Sequence, residues 1–327
     1  MSQREEILSL LQDRKISSTP AFSGLIHITA AGLEREGLNF QEIHHDPRKM
    51  AKAAASTFRL TGMPSATLPL DLCAPAEALG AELKFYEDGA QFPQVKGALA
   101  ESVREIHRLE SRDLEVGRLP LILEAISLVK QDIGNDAVVS GMIPGPYTLL
   151  LYICNPRKLF MEMKKEPQAV LETLLHLSIF LSQIASAYRE AGADFITIHE
   201  MGGSPGFIGP AKFEQFVFPF VKQLISELPK PTVLSVCGNT NKSMDLLAQT
   251  GANAISVDQT NDLAASRARM AGTLLFGNID PVATLWQGDA ASITEAVRGA
   301  KDAGVDAVWP GCDLAPQTSI ENIKAMM

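Results

Sequence analysis

A chain of 327 residues with 46% hydrophobic and 20% charged residues holds enough apolar material for a large core and is a poor candidate for disorder. Its formal charge of -9 and pI near 5.3 argue against general attraction to nucleic acid or to an anionic membrane. No uninterrupted apolar run suggests a bilayer span, and the charged start MSQREEILSLLQDRK lacks the apolar stretch of a signal peptide, so a cytoplasmic location is expected.

In chain order, residues 1–60 combine helical stretches, EEILSLLQDRK and DPRKMAKAAASTFRL, with the turn-rich ISSTPAFSGL, and are expected to cap the fold. SGLIHI at 23–28 is a candidate strand, followed by SATLPLD at 65–71 and AVVSGMIPG at 137–145. DFITIHE (194–200), TVLSVCG (232–238), NAISVD (253–258), TLLFGNID (273–280) and DAVWPG (306–311) complete the set. Amphipathic segments such as KSMDLLAQTG and SITEAVRGAKDAG separate them, several closed by glycine as at a helix C-cap. Strands alternating with crossover-length helices predict a parallel sheet. No strand leads into a G-x-G-x-x-G turn, so a single (β/α)8 TIM barrel over 1–327 is expected rather than an open doubly wound sheet.

In such a barrel the residues past the strand ends converge on one mouth. That rule selects His27, Asp71, Glu200 with His199, Cys237, Asp258, Asn278 with Asp280, and Cys312. Cys237 and Cys312 are the pair of interest, since thiolates and a carboxylate suit catalytic zinc, and Glu200 is the expected third ligand. The alternative is that both cysteines are small core residues. Cys73 and Cys154 are expected to pack. Asp71, Asp258 and Asp280 are either acid–base groups or helix caps. In EMGGSPGFIGP, Gly202, Gly203 and Gly206 permit a tight loop and close ligand approach. Gly202 and Gly203, with Asn278, are the candidate cofactor contacts. His44 and His45, in a polar loop, and His107 and His176, on helical stretches, receive no role.

Several rim segments resemble the uroporphyrinogen decarboxylase superfamily: LPLDLCAPAEALGAEL at 68–83, GPYTLLLYICNPRKLF at 145–160, GADFITIHE with GFIGPAKFEQFVFPF between 192 and 220, and PGCDLAPQTSIENIKAMM at 310–327. The resemblance implies a (β/α)8 barrel that is either a haem-pathway decarboxylase or a corrinoid-dependent methyltransferase. Asp71 falls at the decarboxylase's essential aspartate and Tyr152 at its active-site tyrosine. Its R-Q-A-G-R segment, however, is replaced here by STPAFSGLIHITAAG, and the histidine of its G-H-G motif by Cys312. An acidic tetrapyrrole needs cationic partners, so decarboxylation of uroporphyrinogen is not expected.

The methyltransferase branch binds zinc with an H-x-C motif and a distant cysteine in a G-C segment. Cys237 and Cys312 match those cysteines, while Ser235 replaces the histidine with a poor ligand, leaving Glu200 to complete the set. The implied activity moves a methyl group between a small-molecule donor or acceptor and the cobalt of a corrinoid. A separate corrinoid-binding protein is the expected carrier, because this chain has no D-x-H-x-x-G signature. The alternatives are a decarboxylase of another acid, with Asp71 and Tyr152 as working residues, and a non-catalytic corrinoid- or tetrapyrrole-binding barrel.

Overall fold

The computed structural model describes residues 1–327 except 13, 15, 87, 88, 107–113 and 271, so His107 lies outside the described residues. Seven strands form one sheet whose spatial order follows the chain. They are β1 (Ser65–Leu68), β2 (Val138–Pro144), β3 (Phe195–Glu200), β4 (Thr232–Val236), β5 (Ala254–Val257), β6 (Leu274–Ile279) and β7 (Ala307–Pro310). Rich in Val, Ile, Leu and Phe, they are buried along nearly their whole length, as strands covered on both faces must be. Every neighbouring pair is parallel, from Ser65↔Val138 to Ile279↔Pro310. All the carboxyl ends therefore emerge on one side, which is the α/β barrel arrangement expected from the repeats.

One strand expected from the sequence does not form. SGLIHI at 23–28 is irregular among the described residues, and the link to β7 is a single isolated bridge between Ala21 and Val308. The segment still joins the two sheet edges. Phe22 N donates to Val308 O at 3.2 Å on one side, and Ser23 N donates to Ser65 Oγ at 3.0 Å on the other. The reason is close packing inside the barrel: a Cβ on Gly24 would lie 2.4 Å from Thr197 Oγ1 and 2.7 Å from Trp309. Phe22 meanwhile packs edge-on against Phe195, Phe276 and Trp309. Occupying the interior is incompatible with a regular ladder.

Only part of the expected cap is a cap. The helix Gln3–Leu11, opened by a Ser2–Glu5 capping box, lies under the amino ends of the strands. There Arg4 pairs with Asp194 at 2.8 Å and Asn253 donates to Leu11 O at 3.2 Å. The helix Pro47–Thr61 instead packs beside β1 and the helix Leu119–Ile133, as a crossover helix does.

The helix Pro167–Glu190 is, contrary to expectation, long and apolar enough by length and composition to cross a bilayer. Its stripe Val170, Leu174, Leu177, Leu181, Ile184 and Tyr188 is buried at helical spacing against the rest of the fold, which accounts for the hydropathy.

Candidate metal centre

A strand turns successive side chains to opposite faces. In β3, Phe195 reaches the interior aromatic cluster and Thr197 Oγ1 bonds Ser140 Oγ at 2.8 Å, so the same alternation carries His199 into the barrel. Ser235 of β4 stands in register with His199, and Cys237 follows two residues later on the same face. Cys312 arrives from just beyond β7.

The three side chains meet. His199 Nε2 lies 3.0 Å from Cys237 Sγ, the two sulfurs are 3.1 Å apart, and Cys312 Sγ is 3.9 Å from Nε2. The sulfur separation is too long for a disulfide of about 2.05 Å. A tetrahedral zinc with Zn–S near 2.3 Å and Zn–N near 2.0 Å places its ligand atoms about 3.5–3.8 Å apart. Small side-chain rotations bring the group to that spacing, so one imidazole and two thiols fit the ion, with a fourth position left for a ligand.

Electrostatics favour ionised sulfur here. Cys237, hydrogen-bonded to Cys312 and buried, is pushed up, while Cys312, accepting from Cys237 and facing His199, is pushed down. The pair thus holds one thiol and one thiolate. Burial alone would depress His199, but Cys312 and Asp313 together leave it raised. Asp313 Oδ2 stands 4.0 Å from His199 Nδ1, a buried ring nitrogen without a hydrogen-bond partner, and Oδ1 is tethered by Ile26 N at 2.8 Å. Burial lifts Asp313 to about 6.

Glu200, expected as the third ligand, is not brought to the sulfurs. It faces the opposite side of β3, toward the helix Pro146–Ile153. There its oxygens accept from Thr148 Oγ1, from Thr148 N at 3.4 Å and from Gly203 N at 2.9 Å. A Cβ at Gly145 would lie 2.1 Å from Oε2, so the turn closes directly on the carboxylate. Burial raises Glu200 despite these bonds. His199 stands with the two sulfurs instead. The histidine that Ser235 lacks is supplied one strand over, and the signal was the odd-numbered parity of Phe195, Thr197 and His199.

Asp71, expected as a working acid, is saturated. Arg118 Nη1 and Nη2 grip it at 2.7 and 3.1 Å, Cys73 N donates at 2.8 Å, and His44 Nδ1 lies 3.3 Å away. Burial opposes ionisation, yet Arg118 beside it holds Asp71 well below the usual carboxylate range. Arg118 also bonds Glu77 at 2.8 Å. This is an internal ion network, and the arginine was invisible to a reading confined to strand ends.

Tyr152 lines a cavity beside Cys237, its hydroxyl pushed up by burial. Gly202 lines the same cavity, whereas Gly203 is packed against Val217 and Glu200. Asn278 Nδ2 donates to Asp258 O and Asn261 O, both at 3.0 Å, and so braces loops. Asp280 accepts from Val282 N and Ala283 N and so closes the turn after β6, and Asp258 accepts from Gly238 N and Thr260 N and so ties two loops, while the helices that follow are capped by Asp289 and Asp262. His27 is buried between the carbonyls of Leu25 and Ser65. Cys73 and Cys154 are buried, each pushed up to about 12 by burial, which suits packing.

The chain matches known proteins over nearly its whole length. The family profile described as uroporphyrinogen decarboxylase (URO-D) matches residues 2–327. A methylcobamide:CoM methyltransferase of Methanosarcina acetivorans is 31% identical, with 99% of this chain and 96% of the relative covered. A second methylcobamide:CoM methyltransferase, from Methanosarcina barkeri, is 29% identical over the same shares. The solved structure of a methyltransferase from Methanosarcina mazei superposes with a TM-score of 0.95 at 26% identity, covering 100% of this chain and 97% of its own.

Proposed function

The chain belongs to the uroporphyrinogen decarboxylase family, and within it we propose that this protein is a zinc-dependent methyltransferase that moves a methyl group from the cobalt of a corrinoid to a small thiol. The observation that carries the proposal is the convergence of His199, Cys237 and Cys312 at the barrel mouth. The thiol direction follows the relatives, whose names give methylcobamide and CoM.

In the reaction a sulfur–methyl bond forms and the cobalt–methyl bond breaks. The electron pair of that bond stays on cobalt, and the proton leaves the thiol sulfur. Zinc, when bound, supplies a Lewis acid that lowers the pKa of a thiol. The chain's own residues do the rest. Cys237 and Cys312 provide anionic donors that favour a nucleophilic sulfur over strong polarisation. His199 is aimed by strand register, and Asp313 stands behind its ring at 4.0 Å, beyond hydrogen-bond reach. Tyr152 and Gly202 border the approach to Cys237. Asp71 contributes structure, with Arg118 as its fixed partner.

The corrinoid is carried by a separate protein that docks at the open end of the barrel, and residues 1–327 act as one unit. Neither nucleic acid nor a membrane is a partner. Four free cysteines, with Cys312 poised for ionisation, suit a reducing cytoplasm.

The test mixes purified protein, methylcobalamin and a thiol, and follows loss of the methyl–cobalt absorption together with thioether formation. Turnover is expected with zinc-loaded protein and is expected to fall at least about 100-fold in Cys312→Ser, the size of loss seen when metal sites are disrupted. Equal turnover by Cys312→Ser, or by chelated protein, overturns the proposal.

A further inference from the structure

Beside Cys237 the mouth widens into a cavity of about 490 Å³. Its walls are largely carbon: Leu151, Met201, the ring of Tyr152, and Phe207 at the lip, whose side chain is 65% exposed. Among the described residues none that lines it is basic. A cavity that touches a ligand of the metal centre is where a substrate sulfur must enter, so its chemistry selects the substrate.

Several polar groups in the wall are already committed, which leaves the Tyr152 hydroxyl and the Asn239 amide as its neutral polar contacts. Thr148 Oγ1 donates to Glu200 and accepts from Met201 N and Gly202 N at 2.9 and 3.0 Å. Ser204 Oγ accepts from Gly206 N at 3.2 Å, and Asn239 Oδ1 accepts from Asn241 N at 3.2 Å. Three backbone donors beside the cavity are spent too. Cys237 N bonds Glu200 O, Gly238 N bonds Asp258 Oδ2, and Phe207 N bonds Ser204 O.

Neither nearby cation lines the cavity. Arg118 is held by Asp71 and Glu77, and Lys212 lies over the Phe160 ring without lining the cavity. Carboxylates approach the centre instead, with Asp313 behind His199 and Asp258 on Gly238 N. A permanently anionic head group entering here would meet a largely carbon wall with no cation in it, and desolvating it without a cationic partner is costly.

We infer that the thiol taken by this centre is uncharged and carries an apolar group that fills the cavity between Leu151, Met201 and Phe207. The inference rests on the thiol reading of the proposed function, and it separates this chain from a binder of an anionic thiol such as 2-mercaptoethanesulfonate. Leu151 and Met201 set the apolar wall, and Phe207 closes its outer edge.

Calorimetric titration of the zinc-loaded protein with benzyl mercaptan and with 2-mercaptoethanesulfonate tests it. Benzyl mercaptan is expected to bind at least about tenfold more tightly. Phe207→Lys, a change at an exposed position, adds a cation at the lip and is expected to shrink that ratio severalfold by strengthening sulfonate binding and weakening the aromatic ligand. Equal or tighter binding of the sulfonate by the unaltered protein overturns the inference while leaving the thiol reading intact. Binding of neither probe overturns the thiol reading and the inference with it.

Discussion

Asp71 and Arg118 face each other in a pocket that excludes water almost completely, with side chains 1% and 6% exposed. Removing the Asp71 charge leaves the buried Arg118 with Glu77 as its remaining anion, and breaking a buried pair typically costs about 3–5 kcal/mol. Asp71→Asn is therefore expected to lower stability by about that much in urea denaturation at neutral pH, while zinc content stays unchanged. Because the folded-state pKa of Asp71 is depressed, its contribution is present above the unfolded value of about 4 and is lost as pH falls toward the folded value. The gap between the native protein and Asp71→Asn should thus narrow below about pH 4. A gap that is constant down to pH 2, or a loss of zinc at neutral pH, would contradict the network. Sequence alone offered Asp71 either chemistry or structure. The deciding partner stands 47 residues away on another element, beyond the reach of any local pattern.

Strand pairing decides which side chains the candidate metal centre gathers. β3 and β4 align His199 with Ser235, so one imidazole can reach the two sulfurs from either strand. Moving it back is a direct check on the register: His199→Ala is expected to lose bound zinc, and the double variant His199→Ala with Ser235→His is expected to regain most of it by metal analysis. A double variant as empty as the single one would mean that position 235 does not look into the site. Much at this scale was legible. DFITIHE, TVLSVCG, NAISVD, TLLFGNID and DAVWPG read as strands because apolar runs between turn residues suit a parallel sheet covered on both faces, and they became β3 to β7. SGLIHI carries the same local pattern, but contact between Gly24 and Trp309 overrides it. Cys237 and Cys312 were legible as strand-end thiols. The choice between adjacent His199 and Glu200 was not, because it depends on which face of β3 looks inward, and that is fixed by the strands around it.

For the molecule as a whole, the barrel separates stability from chemistry. Its lower end is closed by the helix Gln3–Leu11 and ion pairs such as Arg4–Asp194. The upper end gathers the residues that follow β3, β4 and β7 around one imidazole and two sulfurs. The centre spans elements far apart in the chain and already held by the sheet, so a metal held there would serve catalysis rather than folding. Zinc K-edge X-ray absorption on the purified, metal-loaded protein reads this centre most directly. One zinc per chain with two sulfur and one imidazole scatterers, the imidazole signal vanishing in His199→Ala and persisting in Glu200→Gln, is the result expected. An oxygen scatterer that disappears in Glu200→Gln, or a spectrum without sulfur, would contradict it.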